Sequence, residues 1–129
     1  MPPLPRSGEL LDFDLIRDLV DVTADSEPGF LRGVLERYVI DALHCLERMR
    51  RHVHHGDAAS LAREAHRLKG SSGTVGAILL AAECLEIERS ARAGACTGME
   101  PRIEHARDVL DATRVGLVAL FRGNMAAAA

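Results

Sequence analysis

Two apolar stripes of helical period meet at a junction of only two residues, Gly56-Asp57, and this junction constrains the fold more than any other feature of the chain. Upstream, Leu31, Leu35, Ala42, Leu46, Met49 and Val53 keep one register; downstream, Ala58, Leu61, Ala65, Leu68, Ser72 and Val75 recur at intervals of three and four. At about 100° per residue, each series lies on one side of a helix, the kind of face that packs into a bundle core. Gly56 ends the first helix and Asp57 can cap the second at once. So short a link makes the two helices antiparallel neighbours.

The remaining segments follow the same logic. Asp12 can cap a short helix whose apolar face is Leu15, Ile16 and Leu19. Asp25 or Ser26 is the expected cap of the longest helix, with Glu27 and Pro28 in its first turn. Gly73 to Gly76 mark the next turn, and a helix through Leu80, Cys84, Leu85 and Ala91 runs to Gly94. After an interior loop from Gly94 to Gly98, Pro101 lies near the start of a last helix with Ile103, Ala106, Leu110, Leu117 and Leu120 inward. The expected fold is all-α, an antiparallel up-down four-helix bundle with a short additional N-terminal helix. Residues 1–8, with Pro2, Pro3 and Pro5, read as a flexible tail or linker. Residues 9–123 make the bundle, and 124–129 are expected to fray. The pattern gives Gly33 and Gly116, inside their helices, no role.

A chain of 129 residues holds one core and is short for an enzyme with a deep substrate cleft. A net charge of −3, with no basic stripe interleaved with aromatics, argues against a nucleic-acid partner. No apolar run reaches the ~20 residues needed to span a bilayer, and the start lacks the apolar core of a signal peptide. Cys45, Cys84 and Cys96 are widely spaced in helical patterns, which fits free thiols and a cytoplasmic location. His52, His54 and His55 invite a metal-binding reading, but they point in different directions on a helix with no Cys or carboxylate at ligand spacing. At a helix C-terminus, partial positive charge on these rings suits the dipole. The serines and cysteines show no nucleophile-elbow context.

The chemistry concentrates in His66-Arg67-Leu68-Lys69-Gly70-Ser71-Ser72. Lys69 is the only lysine of the chain, and the i, i+3 spacing puts its ammonium beside the His66 imidazole, well off the apolar stripe. Ala59, Ala62, Gly70 and Gly73 fall on the same side, so the histidine should stand on a nearly bare patch, flanked by Arg63 and Arg67. Glycine inside a helix costs roughly 1 kcal/mol relative to alanine, so two of them here point to close approach by another molecule. The bland alternative is a surface histidine that merely solvates. A nucleophile with a cation beside it and no bulky neighbour suits a phosphoryl group offered by a macromolecule.

The stretch Ala65-His66-Arg67-Leu68-Lys69-Gly70-Ser71-Ser72-Gly73-Thr74-Val75-Gly76-Ala77, with Leu80, Cys84, Leu85-Glu86 and Arg92-Ala93-Gly94, resembles the signature of histidine-containing phosphotransfer (HPt) domains of bacterial phosphorelays. The resemblance implies that His66 accepts a phosphoryl group from a receiver-domain aspartyl phosphate and passes it to another receiver aspartate. It also implies that Lys69 contacts the phosphate and that Gly70 and Gly76 keep the docking surface open. Magnesium and an acidic pocket would belong to the receiver, so the carrier needs no cofactor and has no independent catalytic activity. One position departs from the family pattern: where many members carry glutamine facing the histidine, this chain has Glu88. A carboxylate there can orient the imidazole but repels phosphate, and Arg92 one turn on can offset its charge. The plainer reading of Glu83, Glu86, Glu88 and Arg92 is a solvated helical face. The rival functions are an interaction module without phosphate chemistry and a metal-binding bundle using His52, His54 and His55.

Overall fold

The computed structural model describes the backbone of residues 7–128 and the side chains of residues 9–121. Its helices are α1 (Ser7–Leu10), α2 (Phe13–Val22), α3 (Phe30–His54), α4 (Ala58–Thr74), α5 (Ile78–Arg92) and α6 (Met99–Ala128), and no strand occurs among the described residues. The four long helices α3 to α6 pack in a ring, each on its chain neighbours and α6 back on α3. Short connections make them alternate in direction, giving the expected up-down antiparallel bundle.

Local signals explain most boundaries. Asp12 Oδ1 accepts a hydrogen bond from Leu15 N at 3.1 Å and Asp57 Oδ1 one from Ser60 N at 3.0 Å, so both expected caps form. At the end of α3, Asp57 N donates to His52 O at 2.9 Å, closing the helix just where the next one begins. The stripes meet in a core that includes Met49, Leu61, Ala65, Leu80, Cys84 and Ala106, all fully buried. Ser72 belongs to the α4 stripe despite its hydroxyl, because it forms a 2.6 Å hydrogen bond with buried Tyr38 on α3.

Three expectations change. Neither Asp25 nor Ser26 caps α3, and Glu27 and Pro28 lie outside it: the helix starts at Phe30, after Gly29 at φ 81°. That left-handed conformation cannot continue an α-helix, so Gly29 sets the boundary whatever the polar residues before it offer. Of the segment expected as a tail to residue 8, residues 1–6 lie outside the described residues, while Ser7 already begins α1, and Leu10 and Leu11 are buried. Gly116 now has a reason, since a Cβ there would lie 3.1 Å from Leu11 Cδ1; glycine lets the N-terminal turn settle against α6. Nothing in the structure explains Gly33, whose Cβ position is open. At the other end, α6 stays helical in its backbone through Ala128, and Ala129 lies outside the described residues.

Candidate functional site

α4 turns His66 and Lys69 toward α5, which supplies Glu88 and Arg92. Their side chains meet at a single carboxylate. His66 Nδ1 lies 2.8 Å from Glu88 Oε2, Lys69 Nζ donates to Glu88 Oε1 at 2.6 Å, and Arg92 Nη2 and Nε donate to Oε2 at 2.8 and 3.1 Å. Glu88 is 5% exposed in its side chain, whereas His66 is 62% exposed. The solvated-face reading of Glu88 is therefore wrong. The residue sits where the α4–α5 contact closes over it, and three donors make burial of a charged group tolerable.

The Lys69 ammonium, working against the cost of burial and helped by Arg92 and His66, holds the Glu88 carboxyl well below the usual 4.5, at about 2. An ionised carboxylate only accepts hydrogen bonds, so the proton of a neutral His66 ring must sit on Nδ1. Nε2 then carries the free lone pair of this exposed side chain. One anion and two cations leave the cluster with a positive surplus toward an approaching anion. Lys69 therefore reaches the site through Glu88, a connection that its three-residue spacing from His66 did not reveal.

Of the residues expected around His66, Ala59, Gly70 and Gly73 are exposed, and a Cβ at either glycine would meet nothing within 4 Å. Ala62 is instead buried at 6% exposure and belongs to the core side of α4. Arg63 is exposed and bonds Ser60, while Arg67 faces a groove of about 620 Å³ between α3 and α4 that also includes Arg37, Tyr38 and His44. Gly76 does not form an open surface. It is buried at φ 81°, its carbonyl accepts from Asp12 N at 2.8 Å, and a Cβ would press Ile16 Cγ1 at 3.1 Å. Its role is to end α4 and seat the start of α2. Neither this groove nor the apolar one of about 630 Å³ between α3 and α6 includes His66. The histidine stands on an open face, suited to a macromolecule that brings its own pocket.

A second polar network, absent from the sequence reading, links the other flank of α4 to α3. Arg48 Nε and Nη2 donate to Glu64 at 2.8 and 3.3 Å, the Cys45 thiol donates to Glu64 Oε2 at 3.1 Å, and His52 Nε2 lies 3.9 Å from Oε1. The available signal was a glutamate three residues after Leu61 and four before Leu68, at the rim of an apolar stripe. With His52 turned to Glu64, and His54 and His55 edge to face at 5.6 Å, the histidine run forms no joint site. Among the described residues, no three His, Cys, Asp or Glu side chains are placed to hold a metal ion. All three cysteines are free, and burial pushes the Cys45 and Cys84 thiols up to about 12.

The Hpt domain family model matches residues 33–116, which contain His66, Lys69, Glu88 and Arg92. The crystal structure of histidine-containing phosphotransfer protein B (HptB) from Pseudomonas aeruginosa PAO1 aligns with a TM-score of 0.74 at 32% identity, over 88% of this chain and 92% of that one. A histidine-containing phosphotransfer protein from Medicago truncatula shares the fold, with a TM-score of 0.78 at 23% identity over 89% of this chain and 79% of the other. No match was found among curated protein sequences. The open histidine on a four-helix bundle, the matched segment around it and the likeness to HptB agree, and the chain belongs to the Hpt domain family.

Proposed function

We propose that this chain is a phosphorelay carrier. His66 Nε2 attacks the phosphorus of a receiver-domain aspartyl phosphate; the N–P bond forms as the acyl phosphate P–O bond breaks, and the aspartate leaves as a carboxylate. A second receiver aspartate then takes the phosphoryl group. The observation that carries this reading is the pairing of exposed His66 with buried, ionised Glu88, which leaves Nε2 as the nucleophilic nitrogen. Lys69 and Arg92 offset the negative charge that phosphate brings.

The carrier splits one transfer into two steps, and the receiver supplies the magnesium and the acidic pocket. Residues 9–123 are the proposed working domain and the cytoplasm its place of action; no described helix is long and apolar enough to cross a membrane. Docking is centred on Ala59, Gly70 and Gly73, beside the histidine.

His66→Gln tests the reading. Incubated with a receiver carrying a labelled phosphoryl group, the wild-type chain should acquire an acid-labile, base-stable label and the variant none, with helicity unchanged. Undiminished labelling of the variant would overturn the assignment. Receiver binding with no label on the wild-type chain would favour an interaction module.

A further inference from the structure

Phosphorylation of Nε2 changes the question asked of Nδ1. Onward transfer begins when an acceptor oxygen attacks phosphorus and the Nε2–P bond breaks, returning its electron pair to Nε2. If Nδ1 still carries its proton, the departing group is neutral imidazole; if not, it is imidazolate, a far poorer leaving group. The atom that decides is the partner of Nδ1, and here it is Oε2 of a buried carboxylate at 2.8 Å.

Resting on the phosphorelay reading above, we infer that ionised Glu88 retains the Nδ1 proton of phosphorylated His66 and so keeps Nε2 a neutral leaving group, making the chain a carrier that releases its phosphoryl group readily. A neutral amide at this position would accept the same hydrogen bond with far less hold on the proton. Glu88 acts through the ring and is a positioning residue.

The charged groups around the ring are few. α4 packs on α3 and α5. From α5 come Glu88 and Arg92, with the Cys84 thiol deeper; from α4 itself come Lys69 and two exposed arginines, Arg63, which bonds Ser60, and Arg67, which lines the α3–α4 groove; the Glu64, Arg48 and His52 group lies on the flank toward α3. Arg92 competes with Nδ1–H for Oε2, whereas Lys69 uses Oε1. The two α5 residues therefore act in opposite directions, which gives the inference a sign to test.

The wild-type chain, Glu88→Gln and Arg92→Gln can each be loaded with phosphoramidate, a small phosphoryl donor that needs no cognate receiver. Loss of the label to water is then followed from pH 5 to pH 10, with ¹⁵N signals of the phosphorylated ring reporting whether Nδ1 is protonated. In Glu88→Gln the pH above which hydrolysis slows should fall by about 1–3 pH units, the size of effect an adjacent opposite charge produces. At neutral pH its phosphohistidine should outlive the wild-type one about tenfold or more. Arg92→Gln should shift the profile the other way. Circular dichroism checks folding, and Arg92, with a side chain 62% exposed, provides a variant that leaves the core untouched.

Matching profiles for wild type and Glu88→Gln would overturn the inference while leaving the carrier function intact, and so would an Arg92→Gln shift in the same direction as Glu88→Gln. Failure of the wild-type chain to take any label at His66 would instead remove the carrier reading itself.

Discussion

Two glutamates on opposite flanks of α4 use nearly the same chemistry for different ends. Glu64 receives a forked Arg48, the Cys45 thiol and a distant His52, all from α3. Glu88 receives Lys69, a forked Arg92 and His66. Burial works against ionisation at Glu64, and hydrogen bonds from Arg48 and Cys45 outweigh it; at Glu88 the Lys69 hydrogen bond is the largest influence. The difference lies in where each network ends. The Glu64 group runs back into the α3–α4 contact and finishes on a buried thiol, while the Glu88 group finishes on an exposed ring with one nitrogen unengaged. A lowered carboxylate pKa marks both places, so it cannot by itself distinguish a helix clamp from a reactive site.

Substitutions on the two flanks should separate these roles. The largest effect is expected at Lys69. A charge-assisted contact is worth roughly 1.5–3 kcal/mol, so Lys69→Ala should lower phosphotransfer rate or phosphohistidine lifetime by about tenfold to a hundredfold. Lys69→Arg should be intermediate, because a planar fork does not reproduce a compact ammonium. Time courses of label gain and loss measure both; parent-like kinetics in Lys69→Ala would erase the contrast between the flanks.

Next in size is Glu64→Gln, expected to cost about 1–3 kcal/mol of stability in urea unfolding while phosphotransfer continues at the parent rate. A loss of transfer with stability unchanged would make the Glu64 flank functional too.

The last contrast is an acid one. Because the Glu88 carboxyl is held at about 2 against an ordinary 4.5, its ionised interactions add full stability above the ordinary value and lose it as pH falls toward the folded one. Melting temperatures of wild type and Glu88→Gln should therefore converge between about pH 4.5 and pH 2. A constant gap across that window would mean that the carboxylate's charge contributes nothing to holding α4 on α5.

The helices and two of their caps were legible because they depend on local pattern: Asp12 and Asp57 cap from their own side chains, and the stripes of α3 and α4 repeat with the helical period. His66 and Lys69 were legible through residue type and spacing. What escaped depends on partners distant in sequence. Gly76 looked like part of an open surface because nothing near it announces Asp12 and Ile16, and Ala62 looked exposed because alanine fits either side of a helix. Glu88 looked solvated because its burial is created by α4, a helix away. At Gly29, backbone conformation overrode the polar residues expected to cap α3.

The pairing of His66 with Glu88 also bears on folding and opening. Glu88 follows His66 by 22 positions, and the two lie on consecutive helices joined by a tight turn. Contacts of such short sequence separation require little loop closure and keep contact order low. Sub-global openings that release α1 and α2 can leave this helical hairpin in register. Slow hydrogen exchange should therefore be sought in the α4–α5 amides, where opening of α1 and α2 need not uncouple the imidazole from its carboxylate.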